Sequence, residues 1–236
     1  GPPISRSLFL KKSALLAGGT LFTSLLWGMV RTAYNILINK EIIKLKNLPD
    51  AFNGFKIIQI SDLHLGSFAS TEPVENMVEK INELNPDIVF FTGDLVNDRA
   101  MEAIKYIEIL KKIKTKYGVF SSLGNHDYGD YVEWPSQEAK MENLQNLKNI
   151  HQKIGWNLLL NENIILEKKG QKIAIIGVEN WGHKLHFPKY GKIETALKGT
   201  ENIPVKLLLS HDPSHWDYEI SQKYKEIDIT FAGHTH

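Results

Sequence analysis

Residues able to hold a divalent cation gather in five short clusters: Asp62-Leu63-His64, Gly93-Asp94, Gly124-Asn125-His126-Asp127, Ser210-His211 and Gly233-His234-Thr235-His236. Five of the nine histidines fall in them, beside Asp62, Asp94, Asp127 and Asn125. Imidazole nitrogens with carboxylate and amide oxygens make a donor set for hard-to-borderline divalent metals. Each cluster follows a short apolar run that reads as a strand. Clusters far apart in the chain but always at strand ends can converge on one rim of a sheet, where α/β folds bind ligands.

The spacing within each cluster suits that chemistry. Asp62 and His64, two apart on an extended turn, can face one ion, although a D-x-H alone is also what a polar turn before a helix would give. Asp94 has two carboxylate oxygens and so can bridge two ions roughly 3.5–4 Å apart; a lone Gly-Asp is equally an ordinary turn. Gly124 permits the tight turn that presents Asn125, whose oxygen is a neutral ligand.

The ordered series D-x-H, G-D, G-N-H-D/E, a lone His and G-H-x-H resembles the calcineurin-like metallophosphoesterase family, from about Phe55 to the last residue. Ser61-Asp62-Leu63-His64-Leu65-Gly66 and Ser210-His211-Asp212-Pro213-Ser214-His215-Trp216 are similar to its membrane-associated bacterial branch. That branch includes phosphodiesterases and UDP-2,3-diacylglucosamine hydrolases. The resemblance implies two divalent metal ions, manganese foremost, with iron, zinc and cobalt as alternatives. It assigns Asp62, His64 and His236 to the first metal, Asn125, His211 and His234 to the second, and Asp94 to both. His126 would serve the leaving group as catalytic acid, and Asp127 would hydrogen-bond its imidazole. The reaction implied is metal-assisted hydrolysis of a phosphodiester or pyrophosphate, lipid-linked substrates such as UDP-2,3-diacylglucosamine included. The alternative is a non-catalytic, metal-dependent binding or scaffold module at the membrane. A damaged ligand set would favour that alternative, and none of the five motifs is damaged.

Composition narrows the partners. Cysteine is absent, which excludes disulfides and thiolate metal sites. The net charge of +1 conceals a basic segment, residues 1–46 at +6, ahead of a remainder at −5. A basic arm beside a mildly acidic domain points to an anionic membrane lipid surface as partner and away from nucleic acid. Ser13–Val30 is an uncharged stretch of 18 residues between Lys11-Lys12 and Arg31, just long enough to span a bilayer as a helix. Ser5-Arg6-Ser7-Leu8-Phe9-Leu10-Lys11 is similar to a twin-arginine export signal, but Ser7 stands where the second arginine belongs. With no small-x-small cleavage site before Asn35, an uncleaved anchor in a bacterial inner membrane is expected. Basic residues on both flanks leave the side of the membrane open.

The elements that must position the clusters follow from periodicity. Strands are expected at 55–61, 87–92, 117–123, 157–160, 164–167, 172–178, 205–210 and 227–232, with Lys169-Gly170 as a hairpin turn. Val74, Met77, Val78, Ile81 and Leu84 predict a helix with Thr71 as N-cap. Further helices are expected at 101–116 and 138–154. The fold class is therefore α/β: a metallophosphoesterase sandwich of two mixed β-sheets flanked by helices, preceded by one membrane-anchor helix. Residues 1–46 read as anchor and linker and 47–236 as the metallophosphoesterase domain. The family resemblance implies further strands beyond Gly233-His234-Thr235-His236. His151 is expected on the surface of its helix. His183, His186 and His215, in loops near Trp181 and Trp216, are candidates for lining a substrate cleft, and Tyr128 and Tyr131 are similar cases.

Overall fold

A computed structural model of the chain describes residues 5–33, 36–183 and 189–234. It divides into two units, residues 1–42 and 43–236. In the first, Arg6–Ala33 forms helix α1. Thr20 and Thr23 donate their hydroxyls to the carbonyls of Leu16 and Gly19, each at 2.8 Å, so these polar groups are satisfied within the helix. Leu15, Leu16 and Phe22 stand exposed on it. Among the described residues no helix is long and apolar enough to cross a membrane. The stretch expected as an anchor lies within α1 and is helical.

The second unit carries two four-stranded sheets. The first holds β1 (Ile57–Ile60), β2 (Ile88–Phe91), β3 (Val119–Ser121) and β4 (Asn157–Leu158), in that order and all parallel. This corrects the expectation of two mixed sheets. The physical reason is the connections: each pair of strands is joined by a crossover long enough to bring the chain back to its starting edge. Those crossovers carry α2 (Glu72–Leu84), a 3-10 segment Ala100–Tyr106 running into α3 (Ile107–Leu110), and α4 (Gln137–Ile154). The second sheet, β5 (Glu162–Lys168), β6 (Gln171–Gly177), β7 (Lys206–Leu209) and β8 (Ile229–Phe231), is mixed. β5 and β6 form an antiparallel hairpin; Lys169 and Gly170 both have positive φ, as a two-residue turn of this hand requires. Short helices α5 (Ile193–Ala196) and α6 (Ser221–Lys223), the latter preceded by a π-helical turn Trp216–Ile220, lie in the remaining crossovers.

Strands that are apolar on both faces fix the layers. In β2, Val89 and Phe91 pack with Val78, Ile81, Leu110, Leu147 and Ile154 of the helices, while Ile88 and Phe90 face the other way. There they meet Phe120, Ile173, Ile175, Leu207 and Leu209, which glue the two sheets together. Ala174, Ile176 and Leu208 then face the outer layer with Ile193, Ala196 and Ile220.

Two local expectations are corrected. The helix expected over 101–116 is mostly a 3-10 segment with one α-turn. Its buried residues Ala100, Ala103 and Tyr106 recur every third position, the period of a 3-10 helix. The chain then stops at Asn82 of α2, whose side chain donates to Lys112 O and accepts from Lys114 N. His151 is not on the surface but fully buried. It lies on the same face of α4 as Leu147, Ile150 and Ile154, with Nδ1 3.0 Å from Ser121 Oγ and its ring against Phe91 and Trp156.

Candidate metal centre

The strand register sets the ends level. Ile60 pairs with Phe91 and Phe91 with Ser121 in one sheet, and Leu209 pairs with Phe231 in the other. Each of the five clusters begins within a few residues of one of these positions, so all five leave the sheets at carboxyl ends. Hydrogen bonds then interlock the loops. Asp62 N donates to Gly93 O and His64 N to Asp94 O. Across the sheets, His234 N reaches the Asp62 carboxylate at 3.0 Å, and Gln59 Nε2 reaches Ala232 O at 2.6 Å.

Four of the cluster residues, Asp62, His64, Asp94 and His234, adopt positive φ, with values of 43–60°. Such a conformation is costly for residues with a Cβ and persists where the surroundings over-determine it, characteristically at functional sites. The glycines make room for this. A side chain at Gly124 would run into the Asp94 carboxylate, and one at Gly233 would run into Ser61 and Asp62.

Asp94 lies at the centre and is fully buried. Its Oδ1 accepts from His126 N at 2.9 Å. Its Oδ2 lies 3.7 Å from His64 Nε2 on one side and 3.2 Å from His211 Nε2 on the other. Two groups of potential ligand atoms share it: His64, Asp94 and His126, and Asp94, His211 and His234. Asn125 Oδ1 joins the second group, 3.1 Å from His211 Nε2. His211 Nδ1 is engaged by Thr92 O at 2.7 Å, which fixes the ring so that Nε2 faces Asp94. His126 Nδ1 is held likewise by Asn97 O at 2.7 Å. The fit to a pair of divalent cations is good: the donors are nitrogen and oxygen, and a buried carboxylate oxygen sits between two imidazoles.

The electrostatics agree with a shared centre. Burial pushes the Asp94 carboxyl up, but the hydrogen bond and charge of His211 outweigh it and hold it below the ordinary range. Burial works against the His211 imidazolium too, yet Asp94 and then Asp62 raise it to about 9. Burial, followed by the positive charge of His211, lowers His234. Asp127 is pushed up to about 7 by burial and by the charge of Asp94, against the N–H groups it accepts.

Contrary to what the family resemblance implies, Asp127 does not hydrogen-bond the His126 imidazole. Its carboxylate accepts the backbone N–H groups of Gly124 and Asp94 at 2.9 Å and of Leu95 at 2.8 Å. The 3-10 turn His126–Tyr128 directs it back under the loops, leaving Asn97 O to hold the ring. Thr92 and Asn97 act through backbone carbonyls, which every residue type possesses, so their sequence carried no signal. His236 and His186 lie outside the described residues. His215 is buried, hydrogen-bonded with Ser210 Oγ at 2.8 Å and stacked on Trp181, and is therefore a packing histidine and not part of a cleft. His183 is exposed, its ring stacked on Tyr218. Tyr128 is buried against Tyr190, while Tyr131 touches the centre itself, its hydroxyl 2.7 Å from Asn125 Nδ2.

A family model described as calcineurin-like phosphoesterase matches residues 55–236. A transmembrane protein with metallophosphoesterase domain from Danio rerio is 28% identical over 214 residues, 89% of this chain and 46% of that protein. The chain thus spans about half the length of that relative. The UDP-2,3-diacylglucosamine pyrophosphatase LpxG of Chlamydia trachomatis is 40% identical over 90 residues, covering 36% of this chain and 27% of that protein. Among solved structures, the NAD nucleotidase NadN of Haemophilus influenzae superposes with a TM-score of 0.53 at 21% identity. It covers 77% of this chain and 38% of that one, a likeness of fold.

Proposed function

The chain belongs to the calcineurin-like phosphoesterase family, and from that premise we propose that it hydrolyses a phosphodiester or pyrophosphate with two divalent cations. Asp62, His64 and His236 would hold one cation and Asn125, His211 and His234 the other, with Asp94 common to both. The observation that carries this reading is Asp94 Oδ2, buried between His64 Nε2 and His211 Nε2 where a bridging ligand belongs. When bound, the cations supply Lewis acidity that polarises the phosphoryl oxygens and activates water. Manganese is the cation we favour.

The chain's own residues do the rest. His211, with Nδ1 on Thr92 O, would present Nε2 to the second cation without rotating. His126, with Nδ1 on Asn97 O, has Nε2 left to pass a proton to the leaving oxygen. Asp127 holds the loops that carry Asp94 and Asn125, so it is a support for the catalytic groups. Residues 47–236 would form the catalytic domain, with residues 1–46 serving to associate it with an anionic bacterial membrane. That part of the reading is supported by the +6 charge of this segment and by exposed Leu15, Leu16 and Phe22 on α1. Placement beside headgroups favours a lipid-linked substrate, and the similarity to the Chlamydia enzyme supports UDP-2,3-diacylglucosamine as the first one to try.

The test is hydrolysis of bis-p-nitrophenyl phosphate and of UDP-2,3-diacylglucosamine by the full chain in detergent with Mn²⁺. His126→Ala is expected to lose about two orders of magnitude in kcat, the scale of general acid catalysis. Asp94→Asn is expected to lose more. Absence of turnover with Mn²⁺, Fe²⁺, Zn²⁺ and Co²⁺ alike would sink the proposal.

A further inference from the structure

An asparagine amide has two ends of nearly equal shape and opposite chemistry: the oxygen accepts and ligates, the NH₂ only donates. Asn125 serves a cation through one end alone, and the other would turn two N–H groups towards positive charge. Something must choose between them. The amide is buried, with Oδ1 3.1 Å from His211 Nε2 inside the centre, while Nδ2 donates to the Tyr131 hydroxyl at 2.7 Å.

We infer that Tyr131 is a positioning residue that orients the Asn125 amide so that its oxygen faces the metal centre; this rests on the ligand role proposed for Asn125. The chain is folded to bring it there. After the 3-10 turn His126–Tyr128, Gly129 takes φ +66°, and the backbone doubles back so that residue 131 reaches residue 125. A side chain on Gly129 would press on Asp98 O and the Trp134 ring. Tyr131 N donates to Asp98 Oδ1 at 3.3 Å, which ties this return to the loop whose Asn97 O holds His126. The tyrosine ring lies 4.5 Å from the His126 ring at 36°. One side chain thus touches the candidate ligand through its hydroxyl and the candidate proton donor through its ring. Tyr131 is itself 46% exposed, so burial of its ring does not account for a hydroxyl aimed at a buried amide.

The hydroxyl is separable from the ring by Tyr131→Phe. Metal-free full-length protein is titrated with Co²⁺ and followed by its visible absorbance, beside a thermal melt. In Tyr131→Phe, one of the two Co²⁺ dissociation constants is expected to rise about tenfold, as for loss of an outer-shell partner, while the other moves by less than about twofold. The melting temperature should stay at the wild-type value, and excess Co²⁺ should restore the absorbance. Asn125→Asp supplies an oxygen at either end, so in that background the same tyrosine change should cost far less. Wild-type constants in Tyr131→Phe would overturn the inference. So would equal weakening of both steps with a lowered melting temperature, or a full tenfold loss in the Asn125→Asp background. Failure of the wild type to take up a second Co²⁺ would instead overturn the two-cation reading beneath it.

Discussion

Asp127 shows how one carboxylate can organise a centre without facing it. Three backbone N–H groups, from Gly124, Asp94 and Leu95, converge on it within 2.9 Å, in a fully buried position. Two of the three belong to the loop after β2 and one to the loop after β3, so Asp127 staples the loops that carry Asp94 and Asn125. Removing it leaves buried donors unpaired, at about 1–3 kcal/mol each. Asp127→Ala is therefore expected to lose at least about 3 kcal/mol in urea denaturation and to bind metal more weakly. Asp127→Asn keeps the shape but can retain only some of these bonds, and should fall between. A urea midpoint for Asp127→Ala indistinguishable from wild type would show that the loops are held by something else. This role differs from that of Tyr131, whose hydroxyl should affect one metal step and leave the fold alone.

At the scale of elements, α4 and β3 meet through a histidine that the fold keeps neutral. Burial drops the His151 imidazole from its ordinary value of 6.5 to about 3, with Ser121 as its hydrogen-bond partner. The unfolded chain takes up a proton near pH 6.5 that the folded one refuses until about pH 3. Its contribution to stability is thus fully present above pH 6.5 and is lost as pH falls through that window, at about 1.4 kcal/mol per pH unit. Equilibrium unfolding between pH 7 and 4 should show this slope in the wild type. His151→Gln, which cannot titrate, should flatten it by about that amount. Equal slopes in the two proteins would mean that His151 is protonated in the folded state. The same element sets where β4 begins: α4 has its N-terminus capped by Ser136 Oγ and stops at Gly155 in a left-handed conformation, which feeds directly into β4.

At the scale of the molecule, the candidate ligands come from both sheets. Asp62, His64, Asp94 and Asn125 follow strands of the parallel sheet, and His211 and His234 follow strands of the mixed one. Cations held by these candidate ligands would join the two halves of the sandwich, beyond the apolar contact of Phe90, Ile175 and Leu209. Metal that binds only the folded state at about 100 times its dissociation constant adds about 2.7 kcal/mol per site. For a domain of this size that corresponds to a rise of roughly 5–10 °C in melting temperature per site. Mn²⁺ titration into chelator-treated protein should show this rise, and EDTA should reverse it. A melting temperature indifferent to both would mean that the sheets do not depend on metal.

What the sequence by itself determined is what is local. Among the described residues the apolar runs located all eight strands, the 3-4 spacing of Val74, Val78 and Ile81 located α2, and the five motifs marked the strand ends that converge. Those signals survive because side-chain periodicity and turn chemistry act over a few residues. Only the tertiary structure decided the matters that depend on what lies opposite. The first sheet is parallel because helical crossovers return the chain, which no single strand encodes. The 101–116 segment winds as a 3-10 helix because Ala100, Ala103 and Tyr106 pack every third residue and Asn82 ends it. His151 is buried because the sheet covers its face of α4, and polar character alone had placed it outside. Asp127 faces the backbone beneath the His126 ring, because two N–H groups from the distant loop after β2 join that of Gly124 there and need an acceptor.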